Sequence, residues 1–336
     1  MSSTTNRQIR LARRPVGDVG PEDWEHVTEA AAAPGAGRFA GRTRYLSLDP
    51  AMRGWLDDRP SYLPPVGIGE VMRAASIVEV TESDHPDFRV GDLVTGAFGV
   101  QERIVSDGRG ALRIDPSAAS PSTYLGALGM SGLTAYFGLL DVGALTEGDT
   151  VAVSGAAGAV GSMVGQIAKA KGCRVIGIAG GAEKCALLTG ELGFDAAIDY
   201  RAENVRKALR THAPTGIDVY FDNVGGEVLD AALANLAQRA RVVICGAISQ
   251  YNTTTGVQGP ANYLALLVAR ARMEGFVIFD YAPRFTEARR EIGSWIEGGR
   301  IKVLEHVVKG TIDDFPATLQ MLFRGENTGK LVLELG

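Results

Sequence analysis

An apolar stretch, Thr150-Val151-Ala152-Val153-Ser154, runs into the turn Gly155-Ala156-Ala157-Gly158-Ala159-Val160-Gly161. That turn is a variant of the glycine pattern that binds dinucleotides, with Ala156 in the first glycine position. Glycine at 158 lets backbone N–H groups approach a pyrophosphate, and Gly161 lets the following helix pack against the sheet. The helix start at Ala159 and Val160 supplies partial positive charge. Val160, Met163, Val164, Ile167 and Ala168 fall on one helical face before Gly172 ends the helix. No Gly-Lys-Ser/Thr follows the turn, which excludes a P-loop.

The second strand candidate ends in Ala179-Gly180-Gly181, where an acid would ordinarily hold a free ribose 2′-hydroxyl. An acid there repels a 2′-phosphate; its replacement by Gly180, with Lys184 shortly after, favours NADP(H) over NAD(H). Tyr200 and Arg201, at the end of the third strand candidate, add a hydroxyl donor and a second positive charge. The alternative for Lys184 is a solvated lysine in the first turn of the next helix.

These residues need a scaffold, and the chain is long enough to supply one. Its 336 residues suit two domains, and 46% hydrophobic with 22% charged residues is the balance of a soluble globular protein. A net charge of -5 argues against a nucleic-acid-binding surface. The three cysteines, Cys173, Cys185 and Cys245, form no CxxC pair and have no histidine at metal-ligand spacing, so no metal site is expected. Unpaired thiols fit a reducing, cytoplasmic setting. The N-terminal "MSSTTNRQIRLARRPVG" has basic residues but no apolar core, so it does not read as a signal peptide. The uncharged, largely apolar stretch Tyr124 to Leu140 is broken by glycines and reads as a buried helix rather than a membrane span.

From about Ile9 to Ile114, short strand candidates such as "ASIVEVTES" and "QERIVS" alternate with glycine and proline turns. Thereafter strand and helix alternate: "TVAVSG", "RVIGIAG", "AAIDY", "IDVYFDNVG" and "ARVVICGAI" are continuous apolar runs, as strands covered on both faces are. The expected class is therefore α/β, with a doubly wound parallel sheet following a mostly β domain. The tail ends in an amphipathic helix and an alternating apolar strand that is expected to return to the first domain.

The segments "YLSLDPAMRGW", "SYLPPVGIGEVMRA", "ALGMSGLTAYFGLL", "GAAGAVGSMVGQIAKAKGCRVIGIAGGAEK", "GIDVYFDNVGG", "CGAISQYN", "MEGFVIFDY" and "GENTGKLVL" occur in that order. Together they resemble the zinc-independent medium-chain dehydrogenase/reductases, in the branch of prostaglandin reductases, plant double-bond reductases and bacterial curcumin reductases. The resemblance implies a GroES-like β domain over residues 1–125, completed by 300–336, and a Rossmann NADP(H)-binding domain over 126–299, with the active site in the cleft. It implies NADPH-dependent reduction of a carbon–carbon double bond conjugated to a carbonyl in a small enone or enal, usually by a homodimer. Carried over by residue, Lys184 and Tyr200 would hold the 2′-phosphate, and Asn223, Cys245 and Gly246 would face the cofactor from strand ends. Tyr251 would contact cofactor and substrate oxygen, Phe276 and Val277 would flank the nicotinamide with their backbone, and Asn327 would reach it from the tail. Tyr62 would face the substrate from the β domain.

Hydride attack at the β-carbon of an enone leaves negative charge on the carbonyl oxygen, and hydrogen-bond donors aimed at that oxygen lower the barrier. Tyr251 is the first candidate and Tyr62 the second; the other reading of Tyr251 is a loop tyrosine packing its ring on the cofactor. Two rivals keep the fold: an NADPH quinone reductase, which needs no tyrosine proton donor, and a non-catalytic NADP(H)-binding protein. Gly129-Met130-Ser131-Gly132 does not satisfy the GxSxG pattern of a hydrolase elbow.

Overall fold

The computed structural model describes residues 5–336. The first four residues of the basic N-terminal stretch, and with them part of the signal-peptide reading, lie outside the described residues. The described chain divides into two compact units, one of the residues up to 125 with 305–327 and 331–336, the other of residues 126–304 and 328–330.

In the first unit, strands β1 (Thr5–Leu11) and β2 (Trp24–Ala30) pair antiparallel as a ribbon. Strands β3 (Phe39–Ser47), β4 (Ser76–Ser83), β5 (Leu93–Gly96), β6 (Arg103–Ser106) and β7 (Leu112–Arg113) belong to a second, larger sheet. β3 is long enough to serve three antiparallel partners, β4, β6 and the last strand of the tail, and its register with β4 breaks at Ala40/Gly41 and Thr43/Tyr45. Ile9, Leu11, Leu46, Leu48, Met52 and Leu56 share a core with Phe315, Leu319 and Leu333 of the tail.

The second unit opens with helix α1 (Met130–Phe137), inside the uncharged run, and continues with β8 (Thr150–Ser154), α2 (Ala159–Ala170), β9 (Arg174–Ala179), α3 (Ala182–Gly190) and β10 (Ala196–Asp199). It goes on through α4 (Val205–His212), β11 (Ile217–Asp222), α5 (Gly226–Leu233), β12 (Leu236–Ile244), α6 (Ala265–Ala269), β13 (Arg272–Gly275) and α7 (Phe285–Glu297). The six strands are ordered β10-β9-β8-β11-β12-β13, every pair parallel, which is the doubly wound Rossmann order. Successive strand residues enter opposite layers: Val151, Val153, Val219 and Phe221 pack with α2 and α7, whereas Ala152, Tyr220 and Val242 pack with α4 and α5. The strand order reverses between β8 and β11, so the carboxyl ends of those two strands border the crevice where this fold takes its ligands.

The tail supplies β14 (Glu305–Gly310), α8 (Phe315–Arg324) and β15 (Lys330–Leu335). β15 pairs antiparallel with β3 in the first unit's sheet, Leu333 opposite Leu46. Its alternating sequence predicts a strand with one wet face, but five of its six residues are buried, because Leu331, Leu333 and Leu335 enter the core on one face and Val332 packs with Ile77, Ile114 and Leu125 on the other. The intervening Thr328–Lys330 belongs to the nucleotide-binding unit. No helix among the described residues is long and apolar enough to cross a membrane.

Leu333 is completely buried in the tail strand. Leu333→Ala is expected to lower stability by about 2–5 kcal/mol, read by chemical denaturation; a change below about 0.5 kcal/mol would show that the tail strand is peripheral to the β-rich core.

Candidate active site at the strand ends of the nucleotide-binding unit

The turn after β8 is built on two close approaches. Gly155 adopts φ +61°, and Gly158 closes the turn by donating its N–H to the Gly155 carbonyl at 2.9 Å. The Gly158 N–H is thereby used inside the turn, and the donors left to meet a pyrophosphate are those of the first helical turn, Ala159, Val160 and Gly161. A Cβ on Gly161 would lie 2.3 Å from the Gly155 carbonyl oxygen and 2.8 Å from the Ala156 Cα, so only glycine lets α2 start this close to the turn. Ala156 is buried and donates its N–H to Ile178 of β9, which fixes the turn to the neighbouring strand. From the tail, Gly329 donates its N–H to the Ala157 carbonyl at 2.7 Å, so the segment adjoining Asn327 is hydrogen-bonded to the phosphate turn.

Gly180, Lys184, Tyr200 and Arg201 come together at the end of β9. A Cβ on Gly180 would fall 2.9 Å from both the Tyr200 hydroxyl and the Arg201 Nε, so the two side chains lie against the face that glycine leaves open. The Arg201 guanidinium lies 5.8 Å from the Tyr200 ring centroid. Lys184 is half-buried in the first turn of α3, and burial together with the like charge of Arg201 holds its ammonium below the ordinary lysine value. Two cations and a phenol around a missing side chain fit the 2′-phosphate of NADP(H), which would offset both the desolvation and the mutual repulsion.

One acid does stand nearby, and the sequence reading passed over it. Asp199, the last residue of β10, accepts the backbone N–H groups of Gly181 and Arg201 at 2.9 and 3.0 Å, and these bonds lower its pKa. Its charge is used to dock the β10 and β9 loops onto each other, which brings Arg201 over Gly180. The signal was present in "AAIDYR", where the acid precedes the tyrosine.

A second network was also missed. Asp222 ends β11 almost completely buried, and its carboxyl accepts from Ser154 Oγ at 2.9 Å, the Tyr220 hydroxyl at 3.0 Å and the N–H groups of Val224 and Gly225 at 3.1 Å. Burial raises its pKa in spite of those donors. Asn223 donates its N–H to Ser154 Oγ at 2.9 Å and its side-chain amide to the Ser154 carbonyl at 2.7 Å. The Asp222 carbonyl in turn accepts the N–H groups of Cys245 and Gly246 at 2.9 and 3.1 Å. Three strand ends are thus tied at the crevice, and a serine and an aspartate closing otherwise apolar strands are the sequence trace of it.

Burial and the Asp222 charge push the Cys245 thiol up to about 12, so it stays protonated at neutral pH and serves as a small polarisable wall. Tyr251 follows the turn Ile248–Gln250, and its hydroxyl oxygen accepts the Ala247 N–H at 3.2 Å. The same oxygen lies 2.7 Å from where a Cβ on Gly246 would be, so Gly246 makes room for it. Phe276 and Val277 follow β13, and the Phe276 ring packs toward Gly138 and edge-on to Tyr281 at 6.4 Å, turning its side chain into the core. Tyr62 and Asn327 belong to the β-rich unit, and Tyr62 is half exposed on its loop. No cluster of three or more metal-ligating side chains occurs among the described residues.

A parallel Rossmann sheet with this turn, these cations and strand-end polar residues defines a dinucleotide-dependent oxidoreductase. Comparison with known proteins narrows the class. Residues 7–114 match the N-terminal domain of oxidoreductase, and residues 159–294 match the family model described as zinc-binding dehydrogenase. The NADPH-dependent curcumin reductase of Escherichia coli (strain K12) is 45% identical, with 98% of this chain and 97% of that protein covered. The 2-alkenal reductase (NADP(+)-dependent) of Nicotiana tabacum is 38% identical, with 98% and 97% covered. The crystal structure of CurA in complex with NADPH from Vibrio vulnificus has a TM-score of 0.93 and 44% identity over 98% of this chain and 99% of that one. The chain therefore belongs to the zinc-independent medium-chain dehydrogenase/reductases, in the branch that contains these reductases.

Lys184→Ala is expected to weaken NADPH binding by about 1.5–3 kcal/mol and to leave NADH binding nearly unchanged, as measured by fluorescence titration. Equal losses with both cofactors would remove Lys184 from the 2′-phosphate. Because the Lys184 ammonium is held low before the cofactor binds, NADPH affinity should fall as pH rises through that lowered value, and fall again below about 6 as the phosphate protonates. Lys184→Arg should abolish the alkaline limb. Gly161→Ala, in contrast, should cost about 1–3 kcal/mol of stability and weaken both cofactors together, because it moves the turn itself.

Proposed function

We propose that this chain uses NADPH to reduce the carbon–carbon double bond of α,β-unsaturated ketones and aldehydes. The observation that carries the reading is the Tyr251 hydroxyl, a neutral donor fixed beside Gly246 and Ala247 at the end of β12. The names of the relatives, curcumin reductase and 2-alkenal reductase, support the same substrate class.

When bound, the reduced nicotinamide supplies the hydride. Ala159, Val160 and Gly161 would hold the pyrophosphate by backbone N–H groups, and Lys184, Tyr200 and Arg201 the 2′-phosphate. Asn223, Cys245, Gly246, Phe276, Val277 and Asn327 would line the nicotinamide side. Tyr251 has one task of its own, to meet the charge that builds on the substrate carbonyl oxygen. A hydroxyl oxygen that accepts a backbone N–H is both oriented and polarised by it, which strengthens the hydrogen bond it donates. Tyr62 is the second hydroxyl proposed for the substrate, from the β-rich unit.

The assembly proposed is a homodimer in the cytoplasm. β13 is an edge strand exposed along its length, and Leu264, Leu267 and Val268 beside it are 60–75% exposed, an apolar patch next to unpaired backbone that a second copy would cover. Three free thiols fit the reducing compartment.

NADPH consumption across enals, enones, a curcuminoid and quinones, with NADH as control, tests the reaction. Turnover of the enones with NADPH preference is expected; turnover confined to quinones, or binding without turnover, would overturn it. Tyr251→Phe should lower kcat by roughly 10²–10⁴-fold if its proton is transferred and only several-fold if it orients the substrate. An unaltered kcat would take Tyr251 out of the mechanism.

A further inference from the structure

Asp222 is a buried charge without a counter-cation. It is 1% exposed. Its carboxyl accepts from Ser154 Oγ, the Tyr220 hydroxyl and the N–H groups of Val224 and Gly225, all of them dipoles, and no arginine, lysine or histidine among the described residues forms an ion pair with it. Asp149, the other buried acid of the nucleotide-binding unit, is held differently: it precedes β8 at the opposite end of the sheet, and Arg241 neutralises it. Burial raises the Asp222 pKa, and its donors oppose the rise. Hydrogen bonds can hold a carboxylate ionised in a dry site, but they leave its net charge uncancelled, and at low dielectric that charge acts over several ångströms.

The strand order relates this charge to the two halves of a dinucleotide. In the order β10-β9-β8-β11-β12-β13, the pyrophosphate turn follows β8, and Gly180, Lys184 and Arg201 lie to one side of it, around the end of β9. A dinucleotide held at its middle by that turn and at its 2′-phosphate beside β9 would lay its nicotinamide half over the ends of β11 and β12. Asp222 closes β11, and its carbonyl accepts the N–H groups of Cys245 and Gly246 just past β12. The carboxylate is felt across that side of the crevice: together with burial, it pushes the Cys245 thiol up to about 12.

We infer that Asp222 sets the redox balance of the bound cofactor through space, its carboxylate favouring the positive nicotinamide of NADP+ over the neutral one of NADPH and so making the bound cofactor a stronger hydride donor. The inference rests on the cofactor placement above and not on the identity of the alkene. Loss of a hydride, one proton with two electrons, to the substrate turns a neutral ring into a cation. An uncancelled negative charge under that half stabilises the cation and has almost no effect on the neutral ring. The phosphates are common to both forms, so their repulsion by Asp222 cancels in the comparison.

The test titrates the protein with NADP+ and with NADPH at about pH 8 and takes the ratio of the two dissociation constants. Asp222→Asn keeps Oδ1, the acceptor for Ser154, Tyr220, Val224 and Gly225, and removes the charge. It is expected to raise Kd(NADP+)/Kd(NADPH) about tenfold, chiefly through NADP+, which corresponds to a rise of about 30 mV in the potential of the bound couple. Tyr220→Phe should act with the opposite sign. It keeps the carboxylate and removes an O–H dipole that opposes its field, so the ratio should fall about two- to threefold. Equal weakening of NADP+ and NADPH in Asp222→Asn, as expected of a strand end that has merely shifted, would overturn the inference, and so would an unchanged ratio. If Asp222→Asn does not fold, Tyr220→Phe decides alone: a fall supports the inference, and no change or a rise overturns it. Adenosine 2′,5′-bisphosphate, which fills only the adenosine half, reads the placement separately. If it binds Lys184→Ala as tightly as the wild type, the adenosine half does not lie beside β9, while the two ratios still report on Asp222. Neither ratio needs an alkene, so both stand whether or not enones are turned over.

Discussion

A carboxyl group sealed at the point where the strand order reverses organises the nucleotide-binding unit. Desolvating an ionised carboxylate costs several kcal/mol, and the fold offsets this with donors from Ser154, Tyr220, Val224 and Gly225 around Asp222. Those donors come from β8, β11 and the turn that starts α5, so satisfying one charge sets three pieces of backbone in register. The Asp222 carbonyl then extends the arrangement to Cys245 and Gly246, and from there the chain runs directly into the turn that places Tyr251. The position of the candidate donor hydroxyl is thus an indirect consequence of a buried acid.

Electrostatics at the other end of the crevice follow the opposite rule. At the end of β11 the protein brings donors to an anion; at the end of β9 it brings Arg201 up to Lys184, where burial and the guanidinium disfavour the ammonium's charge. Asp199, the acid that would neutralise them, is committed to two backbone N–H groups and works as a clamp. An anion bound there would relieve the repulsion between the two cations.

Much of this was legible in the sequence because it is local. Continuous apolar runs read as strands covered on both faces, and five of the six parallel strands could be seen that way. β13 could not: its Arg272-Met273-Glu274-Gly275 lies exposed at the sheet edge, where no burial pattern marks it. The glycine turn, the missing acid at Gly180 and the Lys184–Tyr200–Arg201 group were readable because spacing along βα units maps directly onto the crevice. The roles of Ser154, Asp199 and Asp222 were hidden, since a polar residue closing a strand looks the same whether it faces solvent or holds a neighbouring loop.

The hydrogen bond from Gly329 to Ala157 has a consequence for biosynthesis. The segment that braces the phosphate turn is translated only after Glu305–Asn327, which belongs to the other unit. During vectorial synthesis the nucleotide-binding unit emerges with its sheet complete and its turn unbraced, and β14 and α8 must be made before Gly329 arrives. The brace on the phosphate turn is therefore made only after most of the tail that returns to the β-rich unit has been synthesised.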